Sequence, residues 1–413
     1  KGDEATATYT VKNQSADLSA DLSAKATSSN EEYFEVLCTL EKTTLKAQEE
    51  TTLKVTVRLL KTPIDETKEN LKTDIGITVT AEPKQPGEEN NGGSETVSNR
   101  NPYLPKGFRQ VSGTTLEKGL TIQDSQGNQY VWVEVPKTAE VYPTAGLEIT
   151  EFTETEYTAI ETDLHTYTND YRKSGYEDIY YADDATGLTS AQYTELKQKM
   201  LKSVYQNGGF YIGKYETGTE TARTSGNAST APTDTPVIKQ NVYPYNWVTC
   251  KQAQTLASNM ESGDKTTSLL FGVQWDLTLK YLEKKGTSQA DLKTNSTSWG
   301  NYENNAWNIT NANLKYSSNY GNSWTTATEK SKTSSEDILL STGASESFSK
   351  MGIYDLAGNE CEWTLEYTSH TDGHCAGRGG SYYSSGSNIP ASYRSYYITT
   401  ILSHRIGFRL ALY

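Results

Sequence analysis

Apolar and polar side chains alternate with a period of two through much of residues 1–82. Phe34, Val36, Cys38 and Leu40 alternate with Glu35, Leu37 and Thr39. Leu53, Val55, Val57 and Leu59 alternate with Lys54, Thr56 and Arg58, and Ile75, Ile77 and Val79 with Gly76, Thr78 and Thr80. Successive strand side chains point to opposite faces, so these short runs predict strands with one buried face. Tyr9 and Val11, followed by Lys12-Asn13-Gln14-Ser15, predict a first strand and its turn. At this length the segment reads as an immunoglobulin-like β-sandwich, with no catalytic set in it. Residues 83–105 include Pro-Lys-Gln-Pro-Gly-Glu-Glu-Asn-Asn-Gly-Gly without apolar periodicity, which predicts a flexible, solvated linker.

The pattern changes again over 106–413. Gly107–Val111, Leu120–Ile122 and Tyr130–Val135 predict strands, the last two joined through Gly127-Asn128. Tyr157, Ile160, Leu164, Tyr167 and Tyr171 recur at helical spacing. Thr189 and Gln192 form a capping box ahead of Leu196, Met200 and Val204, and Gly208-Gly209 ends that helix. A strand, Phe210–Glu216, follows, then a Thr-, Ser- and Pro-rich loop over 217–236. Thr249 with Gln252 caps another helix, carrying Ala253, Leu256, Ala257 and Met260 on its inner face. Trp275, Leu279 and Leu282 mark the next. From Ser288 to Ser349 little regular structure is predicted. A coil of that length is expected to be pinned by aromatics or ions, or to form functional surface.

Composition narrows the classes. A chain of 413 residues exceeds one small core and predicts more than one domain. Lys plus Arg number 38 against 52 Asp plus Glu, a net charge of −14, which argues against a nucleic-acid partner. No apolar run reaches the ~18 residues that cross a bilayer, so the chain is not expected to span a membrane. Four cysteines are too few for a disulfide scaffold. Tyr outnumbers Phe by 29 to 7, and tyrosine's apolar ring with a polar tip suits wet contact surfaces. The sequence starts at Lys1, and Asp3–Val11 resembles the start of mature camelysin-type proteins exported by Gram-positive bacteria. Removal of an N-terminal export segment and an extracellular, cell-surface location are therefore expected.

Several blocks fall in a recognisable order: Phe210–Glu216, Gly272-Val273-Gln274-Trp275-Asp276, Trp299-Gly300-Asn301, Gly358-Asn359-Glu360-Cys361-Glu362-Trp363, Arg378-Gly379-Gly380-Ser381 and Gly407-Phe408-Arg409. Together they resemble the formylglycine-generating enzyme, or sulfatase-modifying factor, family, whose fold is a variant of the C-type lectin fold. The resemblance spans about 104–413. The fold class it implies is an α+β C-type-lectin-like domain preceded by the all-β sandwich. The family's oxidase needs two cysteines shortly after Arg-Gly-Gly-Ser to hold copper. Those positions here are Ser384 and Ile389, and hydroxyls do not replace thiolates as Cu(I) ligands. No copper and no oxidase activity are expected. The related iron-dependent enzymes use a histidine cluster, whereas only His165, His370, His374 and His404 occur here. His370 and His374 flank Asp372-Gly373 in what reads as a solvated loop.

The same resemblance implies a calcium site at Asp355, Gly358, Glu360 and Glu362, hard oxygen donors in a tight turn. The alternative is that these carboxylates cap the turn. It also implies neighbouring strands that would let Cys361 and Cys375 form a disulfide, the alternative being two buried free thiols. Cys38 and Cys250 fall in different domains and are expected to be unpaired.

Between Ser381 and Ile406 lies an insert rich in Tyr, Ser, Thr and Asn. Tyr382, Tyr383, Ser385, Asn388, Tyr393, Tyr396, Tyr397, Thr399 and His404 are its candidate ligand-binding residues. Rigid aromatics mixed with small hydrogen-bonders compose antibody-like paratopes. The fixed frame around a polar-aromatic insert also resembles target proteins of diversity-generating retroelements. The expected function is binding of a protein or glycan ligand at a bacterial surface. An enzyme of the family with altered chemistry and an inert loop are the alternatives.

Overall fold

The structure is a computed structural model, which describes residues 3–15, 19–60, 72–83, 102–261, 263 and 265–413. Its internal contacts divide the chain into two units, Lys1–Leu104 and Pro105–Tyr413. Most of the expected linker lies outside the described residues.

The first unit contains β1 (Glu4–Lys12), β2 (Ala20–Ser28), β3 (Phe34–Leu40), β4 (Thr44–Leu45), β5 (Glu50–Leu59) and β6 (Ile75–Pro83). They form two three-stranded antiparallel sheets, ordered β1-β5-β3 and β4-β2-β6. The register opposes Tyr9 to Leu53 and Cys38 to Val55. Leu22, Tyr33, Leu45, Leu53 and Val55 are buried between the chain's turns and strands. Two features depart from the sequence pattern. β2 has only Leu22 as a large apolar residue, so its alternation is nearly silent. β6 pairs with β2 alone, at the sheet edge, and Ile75, Ile77 and Val79 remain 36–38 % exposed.

The second unit opens with β7 (Arg109–Gln110), β8 (Thr121–Gln123) and β9 (Gln129–Glu134), then α1 (Glu154–Tyr167), β10 (Tyr176–Glu177), α2 (Asp183–Thr186) and α3 (Ser190–Asn207). β11 (Gly209–Gly213), β12 (Gly218–Thr219) and β13 (Tyr243–Pro244) lead to α4 (Cys250–Ser258), β14 (Thr267–Leu269) and α5 (Gly272–Lys284). The capping boxes at Thr189 and Thr249 both form, and Gly208 ends α3 in the left-handed conformation at φ 71°. An unexpected third box, Thr153 with Glu156, opens α1.

The long polar region contains β15 (Trp307–Ser317), β16 (Thr325–Lys332) and β17 (Leu339–Leu340), a three-stranded sheet where coil was expected. Its apolar face is sparse. Ile309, Leu314, Ile338, Leu340 and Phe348 make a small buried cluster, and a register break between Thr310 and Leu314 blurs the alternation. β18 (Ser349–Lys350), β19 (Ile353–Tyr354), β20 (Cys361–Thr368), β21 (Cys375–Arg378), β22 (Arg394–Tyr397), β23 (Ile406–Phe408) and β24 (Leu410–Leu412) complete the chain.

Two sheets organise this unit. One runs β14-β24-β11-β9-β8-β7; the other runs β10-β20-β21-β22, with β23 parallel to β20. The helices and aromatic side chains pack around them, with Trp132, Trp275 and Trp363 fully buried.

Candidate functional site

The insert is held by a frame of buried charge. Arg378, at the end of β21, donates to Asp276 on α5 at 2.7 Å and to Glu366 on β20 at 3.3 Å. Arg394, at the start of β22, binds the same two carboxylates, Glu366 at 2.8 Å and Asp276 at 2.5 Å. Two arginines and two acids, all buried, therefore close a quartet around the insert's first half. The Trp275 indole adds a hydrogen bond to the Ala391 carbonyl at 3.0 Å. Gly379 and Gly380 turn the chain out of β21 at φ 86° and 75°. A Cβ at either position would lie 2.8 Å from a backbone oxygen, of Leu356 and Ile389 respectively. Only glycine meets both demands.

A second buried charge group has a different balance. Arg409 grips both oxygens of Glu362 at 2.6–3.0 Å and donates to the carbonyls of Gly213 and Tyr354. Around this pair lie Glu216, Asp355 and Glu360, all buried. Glu216 accepts from the Asn359 side chain and the Glu360 N–H, and Asp355 accepts from the Gly343 N–H. Asp355 and Asn359 both take left-handed backbone, at φ 56° and 55°. Both Glu360 oxygens and Asp355 Oδ1 lack a hydrogen bond of good geometry. Burial, reinforced by neighbouring carboxylates, pushes Glu216 and Glu360 far above the usual carboxylate range. Burial raises Asp355 to about 7, with the Gly343 N–H and Arg409 pulling the other way.

The residues expected to hold calcium lie close to this group. Asp355, Gly358, Glu360 and Glu362 sit on one buried segment, but Arg409 occupies Glu362, and Glu360 Oε2 is packed so closely on Gly407 that a Cβ there would sit 2.1 Å away. Among the described residues no three His, Cys, Asp or Glu side chains form a group able to hold a metal. Asp355 Oδ1 and both Glu360 oxygens are left open to a cation, whereas Glu362 is committed to Arg409.

The Cys361–Cys375 disulfide is corrected. The four cysteines are free thiols. Cys375 pairs in register with Tyr367, whereas Cys361 pairs with Ile406 on the parallel β23. Six positions along β20, at about 3.3 Å each, keep the two apart. Burial raises the Cys361 thiol to about 12.

The insert itself divides into two exposed patches. Tyr382 belongs to neither: its ring is fully buried and its hydroxyl hydrogen-bonds His404 Nδ1. This corrects its assignment as a contact residue. Tyr383 is 43 % exposed and packs on the Arg405 guanidinium at 4.8 Å and on Tyr320 at 6.1 Å. Tyr320 and Trp247 both contact the His404 ring, at 5.0 and 5.9 Å. Ser385 and Asn388 border this cluster in sequence, Ser385 half-buried and Asn388 exposed. Burial and the Arg405 charge hold His404 below its ordinary pKa.

The second patch lies on β22, the edge strand of its sheet. The exposed Tyr396 stacks on His370 at 3.4 Å, and Ile398 beside it is 51 % exposed. Tyr397 turns inward against Trp363, and Tyr393 lies under Lys173. Thr399 is half-buried. His374 stacks on Tyr367, away from the His370–Tyr396 pair. At the family's cysteine positions, Ser384 hydrogen-bonds Ser381, and the Ile389 N–H binds the Ser385 carbonyl.

Sequence reasoning missed Trp247 and Tyr320. Each lies in a polar loop with no periodicity to flag it, and each adopts left-handed backbone, at φ 56° and 64°. That conformation is rare for bulky residues and clusters at functional sites. The Trp247 indole N–H is also buried without a partner.

Comparison with known proteins places this geometry. No curated protein matches the chain. Among solved structures, Treponema denticola variable protein 1 aligns with 14 % identity over 75 % of this chain and 99 % of its own. Its TM-score of 0.25 is too low to support a conclusion about fold or ligand. The profile of the sulfatase-modifying factor enzyme 1-like domain matches residues 184–413, more than half of the chain and all of the frame and insert. With its C-type-lectin-like fold, the chain belongs to the family of the formylglycine-generating, sulfatase-modifying factor domain.

Proposed function

We propose that this chain is an exported bacterial surface protein whose second unit binds a protein or glycan ligand without catalysing a reaction on it. The observation that carries the reading is the ring cluster of Trp247, Tyr320, Tyr383 and His404. Four separate loops bring these rings together, with Tyr320 and Tyr383 more than 40 % exposed. Two of the four rings stand on left-handed backbone that nothing in their local sequence favours. Rigid aromatics beside the Arg405 guanidinium and the hydroxyls of Ser385 and Ser387 offer stacking and hydrogen bonding together, as sugar rings and peptide backbones require. The first unit serves as an immunoglobulin-like spacer.

Catalytic silence is supported by Ser384 and Ile389 at the cysteine positions of the family's copper oxidase, since neither supplies a soft ligand. Oxidation of a thiol peptide in the presence of copper tests it, and turnover would reject the binding-only reading. Binding is tested on arrays of surface glycans and secreted proteins. A hit should weaken at least tenfold in Tyr320→Ala/Tyr383→Ala and be nearly unchanged in Tyr396→Ala; equal affinity in all three would remove the ring cluster as the site. Diversification of the insert is a separate part of the proposal. It calls for a second, nearby copy of the coding region for 378–409, differing at adenines, and the absence of one leaves a binder of fixed specificity.

A further inference from the structure

We propose that the ring cluster takes an acidic sugar, a uronate or sialate residue whose carboxylate is held by Arg405 while its ring lies on Tyr383 and Tyr320. This rests on the ring cluster being the contact site and narrows what it contacts. Arg405 is exposed, and its guanidinium lies over the Tyr383 ring, 4.8 Å from the centroid. Arg223, Arg378, Arg394 and Arg409 each pair with a carboxylate, whereas among the described residues none pairs with Arg405. Asp337 lies within range of its field but forms no ion pair with it. Acids outnumber bases in this chain, with a net charge of −14, so an arginine left without one is open to an anion from outside.

The local structure holds this cation in place. The Arg405 carbonyl accepts from the Cys361 N–H at 2.8 Å, and the Arg405 N–H donates to Ser403 Oγ at 3.1 Å. The backbone is thus fixed on both sides of the residue, and Tyr383 supports the side chain. A guanidinium whose face covers an aromatic ring keeps its N–H edge free, and that fork matches the two oxygens of a carboxylate. Tyr383 meets Tyr320 at 6.1 Å with the ring planes 62° apart, and Tyr320 meets His404 at 5.0 Å. Tyr382 holds His404 through Nδ1, which leaves Nε2 for another hydrogen bond.

A sugar ring offers aliphatic C–H faces to aromatic rings and hydroxyls at its rim. Hydroxyls to meet that rim follow Tyr383 directly in the chain, where Ser385 and Ser387 bond each other at 2.9 Å. The footprint favours a sugar over a protein. Two exposed rings and one cation make a small area beside the ~800 Å² that each side of a stable protein complex buries.

The test probes a glycan array with the full chain, each sialylated or uronate-containing glycan being matched by its carboxyl methyl ester. Acidic members should bind, and esterification should weaken them by about tenfold or more, the scale of a charge-assisted bidentate contact. Arg405→Met should lose the same factor for the acids and bind acid and ester alike, and Arg405→Lys should restore part of the preference. Arg405 lies on the surface, so both variants should melt with the parent. Tyr396→Ala should leave the preference for acids unchanged. Equal binding of acid and ester by the parent, or a preference for acids that survives in Arg405→Met, would overturn the proposal. So would binding confined to neutral glycans, or to acidic peptides printed on the same array. Such a ligand, if lost in Tyr320→Ala/Tyr383→Ala, leaves the ring cluster standing as a binding site. The absence of any ligand that depends on these rings removes both readings.

Discussion

The second unit buries two charge groups of opposite design. Around Asp276, two arginines meet two carboxylates, and each acid binds both cations. Around Glu362, one arginine faces four carboxylates, and only Glu362 is paired with it. The first group is electrically closed. Removing charges from water is costly, and full pairing is the condition under which such a group persists in a core. The second group cannot satisfy that condition with its own residues, and without a bound cation burial favours protons on its acids. The difference teaches that burial alone does not reveal what a charged residue does. The ratio of partners decides between a fixed joint and a group that responds to its medium.

The largest expected effect comes from opening the closed group. Arg378→Met leaves Asp276 and Glu366 with a single cation between them. Stability should fall by about 3–5 kcal/mol, the usual result of stranding a buried charge, read as a lower urea midpoint. A loss below about 1 kcal/mol would show that water or rearrangement already serves the quartet.

The open group predicts a pH dependence of unusual sign for carboxylates. The folded pKa of Asp355, about 7, lies above the unfolded value of about 3.9. Between these values the folded chain holds a proton that the unfolded chain has released, so stability falls as pH rises through the window. Glu216 and Glu360 are raised in the same direction. Melting midpoints should decline from about pH 5 to pH 8 on this account. Glu360→Gln, which keeps the shape without the charge, should flatten the decline and melt higher than the parent at pH 8. A parent curve that rises over this range would contradict the assignment.

A milder probe adds cations in place of protons. If Asp355 and Glu360 hold calcium as expected, millimolar calcium should raise the midpoint at pH 7.5 over that in chelator. An unchanged midpoint would argue against calcium there, because a ligand that binds the native state alone must raise stability. The smallest effect belongs to the surface. Tyr383→Ala and Tyr396→Ala should each change stability by no more than about 0.5 kcal/mol, which would separate contact residues from the frame beneath them.

Local chemistry was legible in the sequence, and long-range geometry was not. The Thr189 and Thr249 capping boxes, the Gly208 stop and the alternation in β3 and β5 each lie within a few residues, and each forms. The ordered motifs from Phe210 to Arg409 carried the family because their glycines and charges serve one frame. The β15–β16 hairpin was missed because polar side chains cover most of it. Composition marked Tyr382 as a contact residue, but composition does not distinguish a ring that points inward from its neighbour that points out. The meeting of Trp247, Tyr320 and Tyr383 depends on three loops that no local pattern relates.

The position of β24 bears on the order in which the second unit assembles. It lies inside the six-stranded sheet, with β11 on one side and β14 on the other, and pairs Leu412 with both Tyr211 and Thr267. β9 and β11 cannot extend into the complete sheet until a segment some 200 residues further along has been made and has returned. Partners so distant in sequence slow folding, because the loop between them must close before the contacts reward it. During synthesis, β11 and β14 therefore wait with open edges, and a nascent chain stalled before Leu410 is the species most exposed to wrong pairing.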